Sequence, residues 1–200
     1  MDKPITAYRD PEQKALVPMI ILTPTVVNDG RKLYIASRPV SFMNNDVLSY
    51  PEYKSAKLSG VDFHALLKDQ DAENIRFLSA LRMSATFPYI TPNTTLPTDP
   101  AVQIMDAGIS DNFGLSDAVR FVYAFNEWIS ENTSGVVFIS IRDSPKLWTV
   151  SAKGGQTIVD SFTQPISTVY NNFENFQDIN SDLLIGMMNS WFKAPVDRID

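Results

Sequence analysis

Apolar residues run almost unbroken over 17–27, pause at Asn28, Asp29 and Gly30, and resume at Leu33 to Ile35. This pattern predicts two β-strands joined by a tight turn, because Asn, Asp and Gly accept the backbone conformations that hairpin turns require. Pro18 and Pro24 cannot donate to a strand ladder, so they weaken the first strand or place it partly at an edge. Residues 1–15 are polar, carry Pro4 and Pro11, and read as an irregular entry segment. Residues 39–72 have a mixed pattern in which one short helix is expected over 62–68. Ile75, Leu78, Leu81 and Ala85 then recur every three or four positions, which predicts a helix over 72–86 ending before Pro88. The following TPNTTLPTDP reads as a loop.

A short, mostly apolar strand is expected at 102–105. Leu115, Ala118, Val119, Val122, Phe125 and Ile129 line one face of a helix, and Gly135 lies just past its end. VVFISI at 136–141 suits a strand covered on both faces. The order strand, helix, strand predicts a parallel crossover. Past Gly154 and Gly155, which read as a flexible turn, Ile158, Phe162, Ile166, Val169, Phe173 and Phe176 form a stripe read as core and interrupted at Pro165. Leu183, Leu184, Met187, Met188 and Trp191 continue it into a helical layer over the sheet, with no clear terminating element. The fold class is therefore α/β.

Two hundred residues, 44% of them hydrophobic, suffice for a sizeable core. A net charge of −6 without clustered Lys and Arg argues against a nucleic-acid binder and disfavours docking to anionic lipid. The absence of cysteine excludes disulfides and thiolate chemistry and leaves the compartment open. No apolar run approaches the roughly 20 residues of a membrane span, and MDKPITAYRDPEQK does not resemble a signal peptide. No P-loop or GxGxxG occurs, so no cofactor is expected.

The chemistry concentrates in MDAGISDNFG, residues 105–114. Asp106 falls at the end of the 102–105 strand, before a loop and a helix, and ligands collect at such edges in open α/β sheets. A carboxylate there can act as a base, activate a hydroxyl nucleophile or bind a metal, and it can equally cap its own loop. A metal reading through Asp106 and Asp111 lacks the oxygen ligands of a calcium loop, so no metal is expected. His64, the only histidine, sits among apolar neighbours in VDFHALL and reads as structural. The nucleophile-elbow motif GxSxG is absent from these residues.

Two segments, LRMSATFPYITP at 81–92 and IMDAGISDNFG at 104–114, resemble the C-terminal half of patatin-like phospholipases in order and spacing. Arg82, Ser84, Ala85 and Pro88 match the first family motif; Asp106, Gly108 and Asn112 match the DG[GA] motif and the Asn after it. The hairpin at 21–37 resembles the strand pair preceding this region. Ala107 replaces the first glycine, which is tolerable only with negative φ, and Gly114 stands where proline is frequent.

The resemblance implies a three-layer α/β/α sandwich, with 1–150 the C-terminal portion of the catalytic domain and 151–200 a helical extension packing on the sheet. It implies a serine acyl hydrolase acting on a lipid or acyl ester through a Ser-Asp dyad. Asp106 would be the base, and Gly108 and Asn112 would shape its loop. The Gly-rich loop and the nucleophilic serine belong to the family's N-terminal half, so that half is an expected partner and the isolated chain is expected to be inactive. An uncovered apolar face would promote self-association, and membrane contact stays open. The alternative is a non-catalytic, patatin-derived module that binds a lipid or a partner chain.

Overall fold

The computed structural model describes residues 2–44, 59–86, 91–142 and 158–200, with side chains of the last segment from 173 onward. Pro88, Gly154, Gly155 and the side chains of Phe162, Ile166 and Val169 lie outside the described residues. The chain forms two compact units, Met1–Asp111 and Asn112–Asp200.

The first unit opens with a 3-10 turn at Ile5–Tyr8 and helix α1 (Arg9–Gln13), where an irregular segment was expected. Pro11 is no obstacle in a first turn, where backbone N–H groups lack intrahelical partners anyway. Ile5 is buried and its N–H bonds to the Ile75 carbonyl.

The expected first strand is split by Pro24 into β1 (Ile21–Leu22) and β2 (Thr25–Val26). Both pair antiparallel with β3 (Lys32–Ala36) in one continuous register, Ile21 opposite Ala36 and Thr25 opposite Lys32. The turn between them places Gly30 at φ 76°, a left-handed value that favours glycine. Residues 17–20 stay outside the ladder.

β4 (Gly60–Asp62) pairs parallel with the other edge of β3 and leads into α2 (Phe63–Leu66), within the expected helical stretch. Asp62 caps α2, and both carboxylate oxygens are occupied: Oδ1 by the His64 N–H, Oδ2 by the Val40 N–H and the Ser41 hydroxyl.

The expected helix over 72–86 is instead a 3-10 turn at Ala72–Asn74 followed by α3 (Phe77–Ser84). The face it buries carries Ala80 and Met83, whereas Leu78 and Leu81 are exposed. The supposed loop after it contains β5 (Thr94–Leu96), antiparallel to β6 (Val102–Met105). The β-branched Thr94 and Thr95 favour the extended state there. β6 also pairs with β2, so both of its edges are taken. The core of this unit gathers Leu33, Ile35, Phe63, Met83, Leu96 and Ile104.

α4 (Gly108–Asp111) closes the first unit. In the second, α5 (Leu115–Ala124) and α6 (Asn126–Asn132) replace one continuous helix, with the break at Phe125. Gly114 precedes α5 at φ 65°, which explains glycine at that position. β7 (Val136–Ile139) is followed by α7 (Ile158–Met188), which runs through Pro165 without a break. The chain closes on β8 (Val196–Ile199), parallel to β7.

The expected crossover from 102–105 to 136–141 is thus corrected: β7 pairs with β8 and not with β6, whose edges are occupied. β7 is also not covered on both faces, since Phe138 is buried while Val137 and Ile139 are exposed. Phe173 and Phe176, expected in the core, are exposed as well; α7 buries Gln177, Asp178, Ser181 and Met188 instead. The architecture is mixed α/β with a mainly antiparallel sheet. Among the described residues no helix is long and apolar enough to cross a membrane.

Candidate functional site

Asp106 follows the last residue of β6, as the sequence predicts, and is half-buried. Its main chain is held on both sides. The Asp106 N–H donates to the Thr86 carbonyl at 2.9 Å, and the Asp106 carbonyl accepts from the Thr25 hydroxyl at 2.9 Å. The next N–H, of Ala107, donates to the Ser84 carbonyl at 3.1 Å. The segment at 81–86 is thereby joined to the segment at 104–114 through the peptide groups around Asp106. Ala107 is absent from the positive-φ residues, which meets the condition for a methyl there.

The carboxylate is held at one oxygen. Oδ1 accepts the Gly108 N–H at 2.7 Å, so Asp106 and Gly108 are brought together, and Gly108 is buried. Oδ2 accepts no hydrogen bond from the described residues. This separates Asp106 from Asp62, whose oxygens are both taken. Asn112 belongs to the second unit: its N–H donates to Gln177 Oε1 at 2.6 Å and its side-chain amide to Glu174 Oε1 at 3.4 Å, both on α7.

Asp111 is paired with Lys32 inside the first unit. It is buried, and its Oδ2 accepts from Lys32 Nζ at 3.1 Å, with the lysine side chain itself only 11% exposed. Lys32 lies opposite Thr25 across the β2–β3 pair, and cross-strand partners share a sheet face. Sequence reasoning missed both residues. The available signal was a threonine and a lysine placed at strand positions beside apolar residues, without any indication of what they face.

Replacing Lys32 by Met removes a mostly buried cation from the Asp111 carboxylate, at a cost of about 2 kcal/mol. The expected readout is faster hydrogen exchange at the buried Leu33 amide, about 30-fold. A rate within about threefold of the parent would show that the pair contributes little.

His64 is buried, with Nε2 3.0 Å from the Ala36 carbonyl, a structural setting. A cavity of about 440 Å³ in the first unit is walled by Phe63, Leu67, Met83 and Leu96, with the exposed Arg82 also lining it. Arg82 and Met83 immediately precede Ser84, whose carbonyl accepts from Ala107, so α3 is shared by the cavity and the Asp106 turn.

In the second unit Arg142 makes a two-pronged ion pair with Asp178, Nη1 to Oδ1 at 2.6 Å and Nη2 to Oδ2 at 2.9 Å. Hydrogen bonding to Asp178 holds the guanidinium pKa above its ordinary value, against the opposing effect of burial.

Comparison of the chain with protein-family models, with curated proteins and with solved structures yields no match.

Proposed function

We propose that this chain supplies the carboxylate half of a Ser-Asp dyad in a patatin-like acyl hydrolase. The observation that carries the proposal is the Asp106 carboxylate at the end of β6, with Oδ1 fixed by Gly108 and Oδ2 unpartnered among the described residues. The hydrogen bonds from Asp106 and Ala107 to Thr86 and Ser84 support it, because they join the two segments on which the family resemblance rests. On this reading the sheet and its helices are part of a three-layer α/β/α sandwich, and other sequence carrying GxSxG provides the serine.

Asp106 Oδ2 accepts the serine hydroxyl proton as the serine oxygen bonds to the acyl carbonyl carbon. Backbone N–H groups of the Gly-rich loop stabilise the oxyanion. Collapse breaks the bond to the leaving alcohol, which takes the proton from Asp106, and water repeats the sequence to release the acid. On this reading the cavity beside α3, apolar at Phe63, Leu67, Met83 and Leu96 and polar at Gln70, Asp71 and Arg82, is where an acyl chain would be sought.

The test is hydrolysis of a short-chain nitrophenyl ester. The purified 200 residues should be inert, and combining them with the polypeptide that bears GxSxG should give turnover. Failure of the combination to hydrolyse the ester would overturn the proposal, and turnover by the 200 residues alone would overturn the need for an external serine.

A second reading is favoured by exposed apolar surface in the second unit: Phe176, Ile179, Leu183 and Met187 along α7, and Val137 and Ile139 on β7. Such surface suits a module that binds a lipid or a partner chain, a second copy included, with Asp106 only organising its loop.

A further inference from the structure

We infer that Thr25 is a positioning residue for Asp106, acting through the main chain rather than on substrate. The inference rests on the reading of Asp106 as the dyad base. Thr25 is buried in β2, opposite Met105 of β6 and Lys32 of β3. Its Oγ1 lies 2.9 Å from the Asp106 carbonyl oxygen and 3.0 Å from Ser110 Oγ. Ser110 Oγ in turn lies 3.2 Å from the Ala107 carbonyl oxygen.

Each hydroxyl has one proton to give, which orders these contacts. A carbonyl can only accept, so Thr25 donates to Asp106. The Ser110 proton then goes to Thr25 Oγ1 or to the Ala107 carbonyl. The consequence is that both peptide groups flanking Asp106 are anchored: the Asp106 N–H is held by Thr86, its carbonyl by Thr25, and the next N–H by Ser84.

The Gly108 N–H that fixes Oδ1 lies two residues further along the same turn. The direction of Oδ2, unpartnered among the described residues, therefore follows from the main-chain anchor that Thr25 provides. A base must be aimed to within a fraction of an ångström, and an error near 1 Å costs on the order of 100-fold in rate.

Thr25→Val and Thr25→Ser test the inference. Valine keeps the branched shape and suits a strand but has no hydroxyl, while serine keeps the hydroxyl. In the serine-bearing enzyme, Thr25→Val should lower kcat about tenfold to 100-fold with KM unchanged, and Thr25→Ser should retain most of the parent kcat. By NMR on the 200-residue chain, exchange at the Gly108 amide should accelerate in Thr25→Val by more than exchange at the Leu33 amide does, and return to the parent rate in Thr25→Ser.

A parental kcat or a parental Gly108 exchange rate in Thr25→Val overturns the positioning role, as does a Thr25→Ser variant that behaves like valine. Failure of the underlying reading looks different: Asp106→Asn then turns over normally, whatever the Thr25 variants do.

Discussion

On the proposed dyad reading Asp106→Asn should lower ester turnover by about a thousandfold while leaving the fold intact, and the two halves of that result have separate physical causes. The amide has no basic oxygen to take the serine proton, and loss of a positioned base costs on the order of 10²- to 10⁴-fold. Yet its carbonyl oxygen can still accept the Gly108 N–H that Oδ1 accepts in the parent. The turn therefore keeps its cap. Asp106→Ala removes both functions, and loss of the capping acceptor should lower stability by about 1 kcal/mol.

This pair of variants separates a base from a loop organiser. A base predicts an asparagine variant that is inert and stable; an organiser predicts one that is fully competent, with damage confined to alanine. Turnover in the serine-bearing enzyme and the thermal midpoint of the 200-residue chain are the measurements. Near-parental turnover of Asp106→Asn would refute the base assignment.

How much of this was legible in the sequence depends on whether a feature is local. The strand at 102–105, the carboxylate at its end and the turn at 28–30 are set by residues within a few positions of one another, and they stand where the pattern puts them. The buried stripe of α5 also holds at Leu115, Val119 and Val122. Periodicity carries no information about edges, however. Nothing in VQIM states that β6 would be flanked by β2 and β5, and that flanking removes the parallel crossover to 136–141.

The same limit applies to the site. Asp106 could be singled out because strand, turn and glycine are adjacent to it in the chain. Thr25 and Lys32 reach its loop from a hairpin about 80 residues earlier, and a single sequence does not encode such pairings in any local pattern. Exposure followed a third rule. Phe173 and Phe176 fit a helical stripe, but a stripe fixes only that residues share a face, not that something covers it.

Arg142→Met should destabilise the second unit by about 3–5 kcal/mol, because it takes the paired cation from a buried carboxylate. Both side chains are under 10% exposed, and Asp178 loses its two charged donors at once. The guanidinium also lies 3.9 Å over the Phe113 ring, a contact favoured by the ring quadrupole and lost with the charge. A raised arginine pKa stabilises the fold at every pH below the ordinary arginine value and is lost only as pH climbs through the folded value. The contribution is thus constant across neutral pH.

Arg142→Lys should recover only part of the loss, since an ammonium is a point charge and cannot reproduce the planar fork. The double variant Arg142→Met with Asp178→Leu should regain most of it, because no unpaired charge stays buried. All three tryptophans, Trp128, Trp148 and Trp191, follow residue 112, so their fluorescence during urea unfolding reports this unit selectively. With a slope of roughly 1–3 kcal/mol per molar urea, the midpoint of Arg142→Met should fall by at least about 1 M. A midpoint close to the parent, or a double variant no more stable than the single one, would show that Asp178 is not held by Arg142 in the way its two short hydrogen bonds imply.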